Sequence, residues 1–399
     1  MSDTVDIIGL GHKGEGIFLR DGQKVFVPFA LPGEKVLVDQ DKERGTLLSV
    51  LEPSPDRIAP FCPHFGTCGG CQLQHMGPAA YRAFKIGLVE TPLRQAGIET
   101  SVEAFVDAAG AGRRRATLHA RKDAAGYMRL RSHDLLDLDH CPILVPALAP
   151  APDIARAIGA LIGPCDVSFA ATDTGLDVSV RSEVKGLKGD RLIGLGNRFR
   201  LARLAFNREM LFLSQMPRVT MGKASVELPI GSFLQATAAA EDAIASYVVE
   251  AVGKAKTVAD LFCGIGPFAL RLAEKSAVFA SDSDKPAVMA LDKGFRHAKG
   301  LKAITVKSRD LFRDPLTRFE LDYDAVVLDP PRAGAEAQIK EIAASKLRHV
   351  VMVACDPKSF ARDAATLLKS GFSMSRLTAF DQFSWSSHIE IAATFIRQR

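Results

Sequence analysis

Two short runs of apolar, mostly β-branched residues have the pattern of strands that are buried on both faces. Residues 325–328 and 350–354 each form such a run, which is typical of a parallel sheet. Ligands of these sheets bind outside the carboxyl ends of the strands. Asp329 and Cys355 directly follow the two runs. The sequence therefore predicts that a carboxylate and a thiol lie at one edge of the sheet.

A strand, a glycine loop and a helix precede this region. Asp260 lies in the first strand, Gly264 and Gly266 lie in the loop, and the next strand, 277–282, ends at Asp282. This order is typical of nucleotide binding in a doubly wound sheet. The third glycine of the NAD fingerprint is missing. An acid before the loop suits a sulfonium and its ammonium group better than a pyrophosphate, so the pattern favours S-adenosylmethionine.

Two polar segments complete this half of the chain. Asp310 follows a short apolar run at 303–306 and is expected either to contact the adenine or to cap a turn or helix. His388 and Glu390 come just before a last apolar run, and their spacing of two predicts that they share one face of a strand. Either one of them lies beside the cofactor site or both belong to a surface hairpin.

The first part of the chain has a different pattern. Residues 5–51 predict about five short strands separated by glycine and proline turns, which is typical of a small oligonucleotide-binding barrel. A helix is predicted for 79–96. A second helix is predicted for 238–252, with Thr237 as its N-cap and Gly253 at its end.

Three cysteines follow the predicted barrel at the spacing C-x5-C-x2-C. Small residues between Cys68 and Cys71 let backbone N–H groups approach sulfur, and Cys62 completes the triplet. Cys141, in a polar turn beside a proline, is our choice for the fourth ligand. Four thiolates suit zinc or an iron–sulfur cluster, and spacing alone does not distinguish them. Four unrelated buried thiols are the alternative, which the tight triplet disfavours.

Basic side chains concentrate between residues 113 and 133. Seven Lys and Arg side chains stand there against one acid, Asp123. A charged run is often only a solvated face, but this density favours phosphate contact. The chain is predicted to form a hairpin here, with strands at 116–120 and 127–131.

Composition limits the classes of protein. The chain has 399 residues, 47% hydrophobic and 24% charged, which is typical of a globular protein of two or three domains. Neither a long apolar run nor a secretory signal is found, so we expect no membrane association and a cytoplasmic location. The seven cysteines, an odd number, favour reduced thiols. The net charge of +5 permits a nucleic-acid partner without requiring one.

These motifs resemble the RNA uracil-5-methyltransferases that use S-adenosylmethionine. The resemblance covers nearly the whole chain, and its start is similar to a TRAM domain. Together with the cysteine cluster, this start looks most like the branch that modifies 23S rRNA. Besides the cysteines, the motifs are Phe233-Leu-Gln235, Asp260-Leu-Phe-Cys-Gly264-Ile-Gly266, Asp329-Pro-Pro-Arg332, Ala354-Cys355-Asp356-Pro357 and His388-Ile-Glu390.

The resemblance implies a multidomain α/β fold: a Rossmann-like methyltransferase domain, an N-terminal OB-like TRAM barrel and a central α+β domain with a metal cluster. The barrel would span 1–54. The central domain would span 55–77 and 108–228, and the catalytic domain 78–107 and 229–399. The implied cofactors are S-adenosyl-L-methionine and a [4Fe–4S] cluster on the four cysteines. The implied partner is RNA, 23S rRNA in particular, and the chain is expected to act as a monomer.

The chemistry of uracil and the resemblance together assign the roles. A thiolate must add to carbon 6 before carbon 5 accepts a methyl group, and a base must then remove the carbon 5 proton. Cys355 is the expected nucleophile, with a pKa lowered by its place before a helix, and Glu390 the expected base. The cofactor is assigned to Gln235, Asp260, Phe262, Gly264, Asp282, Asp310 and Asp329. The substrate is assigned to Phe233, which would stack on the uracil, and to Arg332, Arg113, Arg115 and Arg131.

The chain also departs from the family, and alternatives stay open. Asp356 stands where the family often has asparagine and should raise the pKa of Cys355 if the two are close, and Pro267 replaces a common threonine. A methyltransferase of exocyclic amines usually has an aromatic residue at the position of Arg332. A tRNA substrate is a further alternative. A non-catalytic iron–sulfur RNA-binding protein would leave Cys355 unexplained.

Overall fold

The computed structural model describes residues 2–184 and 189–397, which divide into two compact units. The first unit comprises Met1–Leu88, Tyr127–Asp137 and Phe383–His388. The second unit comprises Val89–Gly126, Leu138–Gln382 and Ile389–Arg399. The three domains expected from the sequence stay a prediction. No helix in the described ranges is both long and apolar enough to cross a membrane.

One antiparallel-rich sheet of six strands forms the start of the first unit. Its strands are β1 (Ser2–Asp6), β2 (Gly9–Leu10), β3 (Gly16–Arg20), β4 (Gln23–Val27), β5 (Lys35–Asp41) and β6 (Arg44–Glu52). They follow the order β1-β5-β6-β4-β3-β2, and alternate residues such as Val36 and Val38 enter a small apolar core. The sequence predicted one strand fewer.

A long helix follows this sheet. Helix α1 (Pro78–Gln95) was predicted almost to the residue, and strand β7 (Ala104–Asp107) comes next. Lys85, on the part of α1 in the first unit, is fully buried. Its Nζ donates to the carbonyl oxygens of Phe383 (3.2 Å) and His388 (2.6 Å). This buried ammonium therefore holds the segment that leads into the last strand.

The middle of the chain forms a mixed sheet. Its strands are β8 (Arg115–Arg121), β9 (Ala124–Met128), β10 (Leu135–Asp137), β11 (Cys165–Thr172), β12 (Gly175–Arg181), β13 (Arg203–Phe206) and β14 (Glu209–Leu213). Helices α2 (Ala151–Ile162) and α3 (Ile193–Arg198) and two 3-10 turns, Pro146–Leu148 and Gly189–Leu192, accompany them. The basic hairpin pairs Arg121 with Ala124, so its second strand begins three residues earlier than predicted.

A hairpin and a helix link this sheet to the last one. The hairpin is formed by β15 (Arg218–Met221) and β16 (Ala224–Glu227). Helix α4 (Ala238–Val252) begins and ends as predicted. The Thr237 side chain accepts a hydrogen bond from the Ala240 N–H, and Gly253 ends the helix with a positive φ of 62°.

The last sheet contains eight strands of the second unit. They are β7 and β17 (Thr257–Leu261), β18 (Ala277–Asp282), β19 (Ile304–Ser308), β20 (Ala325–Leu328), β21 (His349–Ala354), β22 (Phe372–Asp381) and β23 (Glu390–Arg397). The helices between them are α5 (Ala269–Leu272), α6 (Lys285–His297), α7 (Glu336–Ala344) and α8 (Pro357–Lys369). The order is β19-β18-β17-β20-β21-β23-β22-β7.

The pairing within this sheet confirms the predicted parallel strands. Strands β17 to β21 are mutually parallel, whereas β23 runs antiparallel to both β21 and β22. The residues of β20 are fully buried, as a continuous apolar run requires.

Candidate active site

The carboxyl ends of the parallel strands bring several predicted residues to one edge. The register aligns Leu261, Leu328 and Met352 on three neighbouring strands. Asp329 therefore leaves β20 at the same edge at which Cys355 leaves β21. This geometry confirms the predicted common edge of carboxylate and thiol.

Glu390 reaches this edge from the opposite direction. The antiparallel strands β21 and β23 pair Ala354 with Ile391, so the next opposed positions are Cys355 and Glu390. The prediction that His388 and Glu390 share a strand was wrong, because β23 begins at Glu390. Glu390 is buried, with 3% of its surface exposed, whereas His388 is exposed.

The surroundings of Cys355 oppose its ionisation. Burial raises the pKa of its thiol to about 12, and the Glu390 and Asp329 carboxylates add to the shift. Arg332 acts in the opposite direction with a smaller effect. The expected lowering of this pKa by the following helix is therefore wrong, because desolvation and two acids outweigh the helix N-terminus.

Asp356 was expected to raise the pKa of Cys355, but its side chain makes other contacts. Its Oδ1 accepts hydrogen bonds from the backbone N–H groups of Lys358 (3.1 Å) and Ser359 (2.9 Å). The side chain thus caps the N-terminus of α8. The acids that raise the pKa of Cys355 are Glu390 and Asp329, which come from other strands.

Three aspartates from neighbouring strands, Asp260, Asp282 and Asp329, lie close together at this edge. Burial raises the pKa of Asp260 well above its usual value, and Asp329 adds to the shift. Burial likewise raises the pKa of Asp329 to about 7, with a further contribution from Asp282. Asp260 is fully buried, and neither of its carboxylate oxygens has a well-formed hydrogen bond to a described residue, although the nearby Ala269 N–H acts to lower its pKa. A donor from a ligand would stabilise such a group.

The glycine loop lies directly beside these acids. The Gly264 N–H donates to Asp282 Oδ2 over 2.9 Å, which ties the loop to the end of β18. Gly264 and Gly266 have φ angles of 53° and 92°, and a Cβ on Gly266 would lie 2.3 Å from Leu291 Cδ1. Phe262, which also has a positive φ of 63°, directly follows strand β17 and begins the loop.

This arrangement fits S-adenosylmethionine as a cofactor. The unsatisfied Asp260 carboxylate suits an ammonium or sulfonium group, and Asp282 stands at the strand end where a ribose is held in such sheets. Phe262 packs on Phe312 with ring centroids 5.5 Å apart, and Phe312 is 45% exposed. This aromatic pair suits one face of an adenine.

Asp310, assigned to the cofactor, forms a local turn. Its Oδ1 accepts a hydrogen bond from the Phe312 N–H (3.0 Å), and its carbonyl oxygen accepts from Arg313 and Asp314. The alternative interpretation of this residue, as a turn residue, therefore describes its contacts. A cofactor contact of Asp310 stays a prediction.

A buried amide network connects the base to the predicted cofactor side. Gln382 Nε2 donates to Gln235 Oε1 (2.7 Å) and to Glu390 Oε1 (3.0 Å). Burial raises the pKa of Glu390 well above its usual value, and Asp329 adds to the shift. Gln382 was not among the residues predicted from the sequence. Its one signal in the sequence is its position directly after Asp381, the last residue of β22.

Aromatic and basic side chains lie at the rim of the site. Phe233 is 61% exposed, and the Arg115 guanidinium lies 4.3 Å from its ring centroid. Burial lowers the pKa of Arg115, with further contributions from Arg114 and Arg113, so the three arginines lie close together. Arg332, after β20, is exposed. These residues are available to a polyanion and to an aromatic base.

Two groups of predicted residues lie in the first unit. Arg131 pairs with Glu15 over 2.9 Å and lines a cavity of about 520 Å³ together with Lys13, Arg44 and Phe29. The other group is the cysteine triplet, whose members are all partly exposed: Cys62, Cys68 and Cys71.

The donor chemistry of the triplet suits a metal cluster. The Gly70 N–H donates to Cys68 Sγ over 3.4 Å. Burial raises the pKa of Cys68, the hydrogen bond from Gly70 partly opposes this rise, and Cys62 adds a smaller increase. Over residues 2–184 and 189–397, no group of three or more His, Cys, Asp or Glu side chains is arranged to hold a metal ion. Cys141, in the second unit, is also partly exposed.

Comparisons with known proteins place the chain in a family. Residues 185–398 match the family model of tRNA (uracil-5-)-methyltransferases. An uncharacterized RNA methyltransferase of Brucella suis is 44% identical over 99% of this chain and 98% of its own length. The 23S rRNA (uracil(1939)-C(5))-methyltransferase of Halomonas elongata is 32% identical over 96% of this chain and 87% of its own.

A solved structure shows the same fold. The tRNA (uracil-54, C5)-methyltransferase of Pyrococcus abyssi, in complex with S-adenosyl-L-homocysteine, superimposes with a TM-score of 0.79. The alignment covers 98% of this chain and 99% of that one at 21% identity.

Proposed function

This chain belongs to the tRNA (uracil-5-)-methyltransferase family and is an S-adenosylmethionine-dependent RNA methyltransferase, and we propose that it methylates carbon 5 of a uridine in 23S rRNA through a covalent adduct on Cys355. The observation that carries the proposal is the strand register that opposes Cys355 and Glu390 at one buried edge. A thiol and a carboxyl in that relation suit addition to a pyrimidine and removal of its proton.

The residues of the edge act in sequence. Cys355 Sγ adds as a thiolate to carbon 6 of the uracil, which moves electron density onto carbon 5, and carbon 5 then accepts a methyl group. Asp329 hydrogen-bonds the uracil edge and holds the ring in register. Glu390 then takes the carbon 5 proton, the ring double bond forms again, and the carbon–sulfur bond breaks. A base with a raised pKa is well matched to this transfer.

The cofactor would be held by the glycine loop and the acids around it. S-adenosylmethionine, when bound, supplies an electrophilic methyl group. Asp260 is placed to receive its positive groups, Asp282 its ribose, and Phe262 its adenine. Gln235, Gly264 and Asp310 complete the predicted set.

The RNA would reach the site across the exposed rim. Phe233 would stack on the target uracil once the base has left its stack, with Arg115 fixing the ring from the other side. Arg113, Arg131 and Arg332 would contact phosphates. The Halomonas relative, named for its action on 23S rRNA, supports the ribosomal substrate over a tRNA.

We also propose a [4Fe–4S] cluster on Cys62, Cys68, Cys71 and Cys141. The cysteine spacing and the N–H contact of Gly70 to Cys68 Sγ support it. No reaction step needs the cluster, which would hold the cysteine-containing segments together. Anaerobically purified protein should contain four irons for each chain, whereas one zinc and no colour would contradict the cluster. A TRAM barrel, the three-domain division, a monomeric state and a cytoplasmic location complete the proposal.

Mass spectrometry of RNA from a deletion strain tests the substrate. One 5-methyluridine of 23S rRNA should disappear, and the wild-type gene should restore it. Loss of a tRNA 5-methyluridine instead would contradict the ribosomal assignment.

The mechanism is tested with a variant whose reaction should stop after methyl transfer, before the RNA is released. Glu390→Gln should accumulate a covalent protein–RNA adduct on a denaturing gel, since addition and methyl transfer proceed but release does not. The same substitution combined with Cys355→Ser is the control and should give no adduct. An active Glu390→Gln enzyme without any adduct would refute the role of the base.

A further inference from the structure

The side chain of Gln382 makes three hydrogen bonds at the candidate site. It follows the last residue of β22 and is 1% exposed. Its Nε2 donates to Gln235 Oε1 (2.7 Å) and Glu390 Oε1 (3.0 Å), and its Oε1 accepts from the Ala236 N–H (2.7 Å). One buried amide thus contacts the predicted base and the segment that carries Phe233.

The orientation of this amide is fixed by its partners. A backbone N–H can only donate, so the oxygen of Gln382 must face Ala236. The two N–H bonds of Nε2 then point at the oxygens of Gln235 and Glu390. Every donor of the side chain is used, and rotation by 180° would lose all three hydrogen bonds.

We infer that Gln382 is a positioning residue for methylation, which holds the Glu390 carboxyl by Oε1 so that Oε2 alone is presented to the carbon 5 proton. The inference rests on the proposed function, because it takes Glu390 as the base. Glu390 Oε2 is buried and has no hydrogen-bond partner among the described residues, as a proton-accepting atom awaiting its substrate requires.

The donor from Gln382 acts on one step. In that step the carbon 5 proton moves to Glu390 Oε2, and the electron pair of the carbon–hydrogen bond forms the double bond between carbons 5 and 6. The bond between carbon 6 and Cys355 Sγ breaks at the same time and releases a thiolate. An N–H donated to Oε1 stabilises the carboxylate before the transfer. Without it the carboxylate is both less available and less well aimed.

Three ionisable groups influence the charge of the base. Asp329, at the end of β20, favours the neutral form of Glu390, and Arg115, on β8, favours the charged form. Cys355 faces Glu390 across the register of β21 and β23. Gln382 is uncharged. Replacing it by an acid adds charge beside Glu390, whereas replacing it by an apolar side chain only removes hydrogen bonds, so the two variants distinguish the effect of charge on Glu390 from the effect of hydrogen bonding.

Two substitutions make that separation. Gln382→Glu keeps an oxygen for the Ala236 N–H and the shape of the side chain, but it replaces the donor to Glu390 by an oxygen. Gln382→Met removes both hydrogen-bonding groups at similar volume. The decay of the covalent RNA adduct is measured in single turnovers from pH 6 to pH 9, beside S-adenosyl-L-homocysteine affinity and thermal stability.

The expected results differ from those of a packing residue. Gln382→Glu should slow adduct decay at pH 7 about tenfold or more and move its acidic limb upward by about one pH unit, because a second carboxyl disfavours the ionised base. Gln382→Met should slow decay about tenfold with a smaller displacement of the limb. A packing role would instead lower stability and ligand affinity while leaving the pH profile of decay in place.

The controls distinguish failure of this inference from failure of the proposed function. If Glu390→Gln traps the adduct but both Gln382 variants resolve it at the wild-type rate and pH profile, the positioning role is refuted alone. If Glu390→Gln turns over normally, the assignment of the base is refuted, and the role of Gln382 with it.

Discussion

Replacing Asp329 by asparagine should stabilise the free enzyme in a pH-dependent way. The carboxyl is desolvated at the end of β20, and its pKa is raised from 3.8 to about 7. A group whose pKa is raised by folding contributes its full stability below the unfolded pKa and loses it as the pH rises through the folded pKa. The wild-type protein therefore loses stability between pH 3.8 and about pH 7.

The size of the effect follows from the shift. Each pKa unit corresponds to about 1.4 kcal/mol, so the whole shift is worth about 4 kcal/mol, of which about 3 kcal/mol falls above pH 5. The asparagine side chain of the variant does not titrate. The pKa values of Asp260 and Glu390, which Asp329 also raises, should fall in the variant and add in the same direction. The advantage of Asp329→Asn should therefore be about 3 kcal/mol larger at pH 8 than at pH 5.

Urea unfolding at the two pH values measures this difference. Asp322→Asn is the matched control, since Asp322 is exposed in the segment before β20 and should change stability by less than about 0.5 kcal/mol at either pH. The stabilised variant should also lose methyltransferase activity. An advantage of Asp329→Asn that is equal at pH 5 and pH 8, or larger at pH 5, would refute the reasoning.

Three further changes test other parts of the structure. Cys355→Ser should abolish methyl transfer from tritiated S-adenosylmethionine to RNA, whereas Cys263→Ala should retain it, and methylation by the former would exclude covalent catalysis. Phe233→Ala should weaken binding of a substrate RNA by about 1–3 kcal/mol in a filter assay and leave S-adenosyl-L-homocysteine affinity in place; an unchanged RNA affinity would contradict stacking. Arg57→Met leaves the fully buried Glu34 carboxylate without its ion pair and should cost about 3–5 kcal/mol in chemical unfolding, and a cost below about 1 kcal/mol would contradict this assignment.

The sequence predicted those features that depend on local pattern. The runs at 325–328 and 350–354 are apolar throughout and buried on both faces, so their parallel pairing and their common edge followed directly. Helix α4 was predicted correctly because both its cap and its terminal glycine are local.

The features that escaped prediction depend on contacts between distant segments. The place of Cys355 before a helix suggested an acidic thiol, but Glu390 and Asp329 come from two other strands and reverse the sign. Gln382 donates a hydrogen bond to Gln235, which lies 147 residues away along the chain, and no local sequence pattern predicts that contact. The spacing of His388 and Glu390 predicted a shared strand face, but spacing does not show where a strand begins, and β23 starts only at Glu390.

The buried polar atoms identify the site on physical grounds that do not depend on any relative. Both oxygens of Asp260 and Oε2 of Glu390 are buried without a hydrogen-bond partner among the described residues, and each such atom costs free energy of folding. Burial also raises the pKa of both carboxyls, so the fold opposes the charge that chemistry needs. A fold gains nothing from these groups by itself. A cofactor and a pyrimidine bound as proposed would supply donors and protons to these groups and offset the cost, so the acids that weaken the free protein support the proposed place of the reaction.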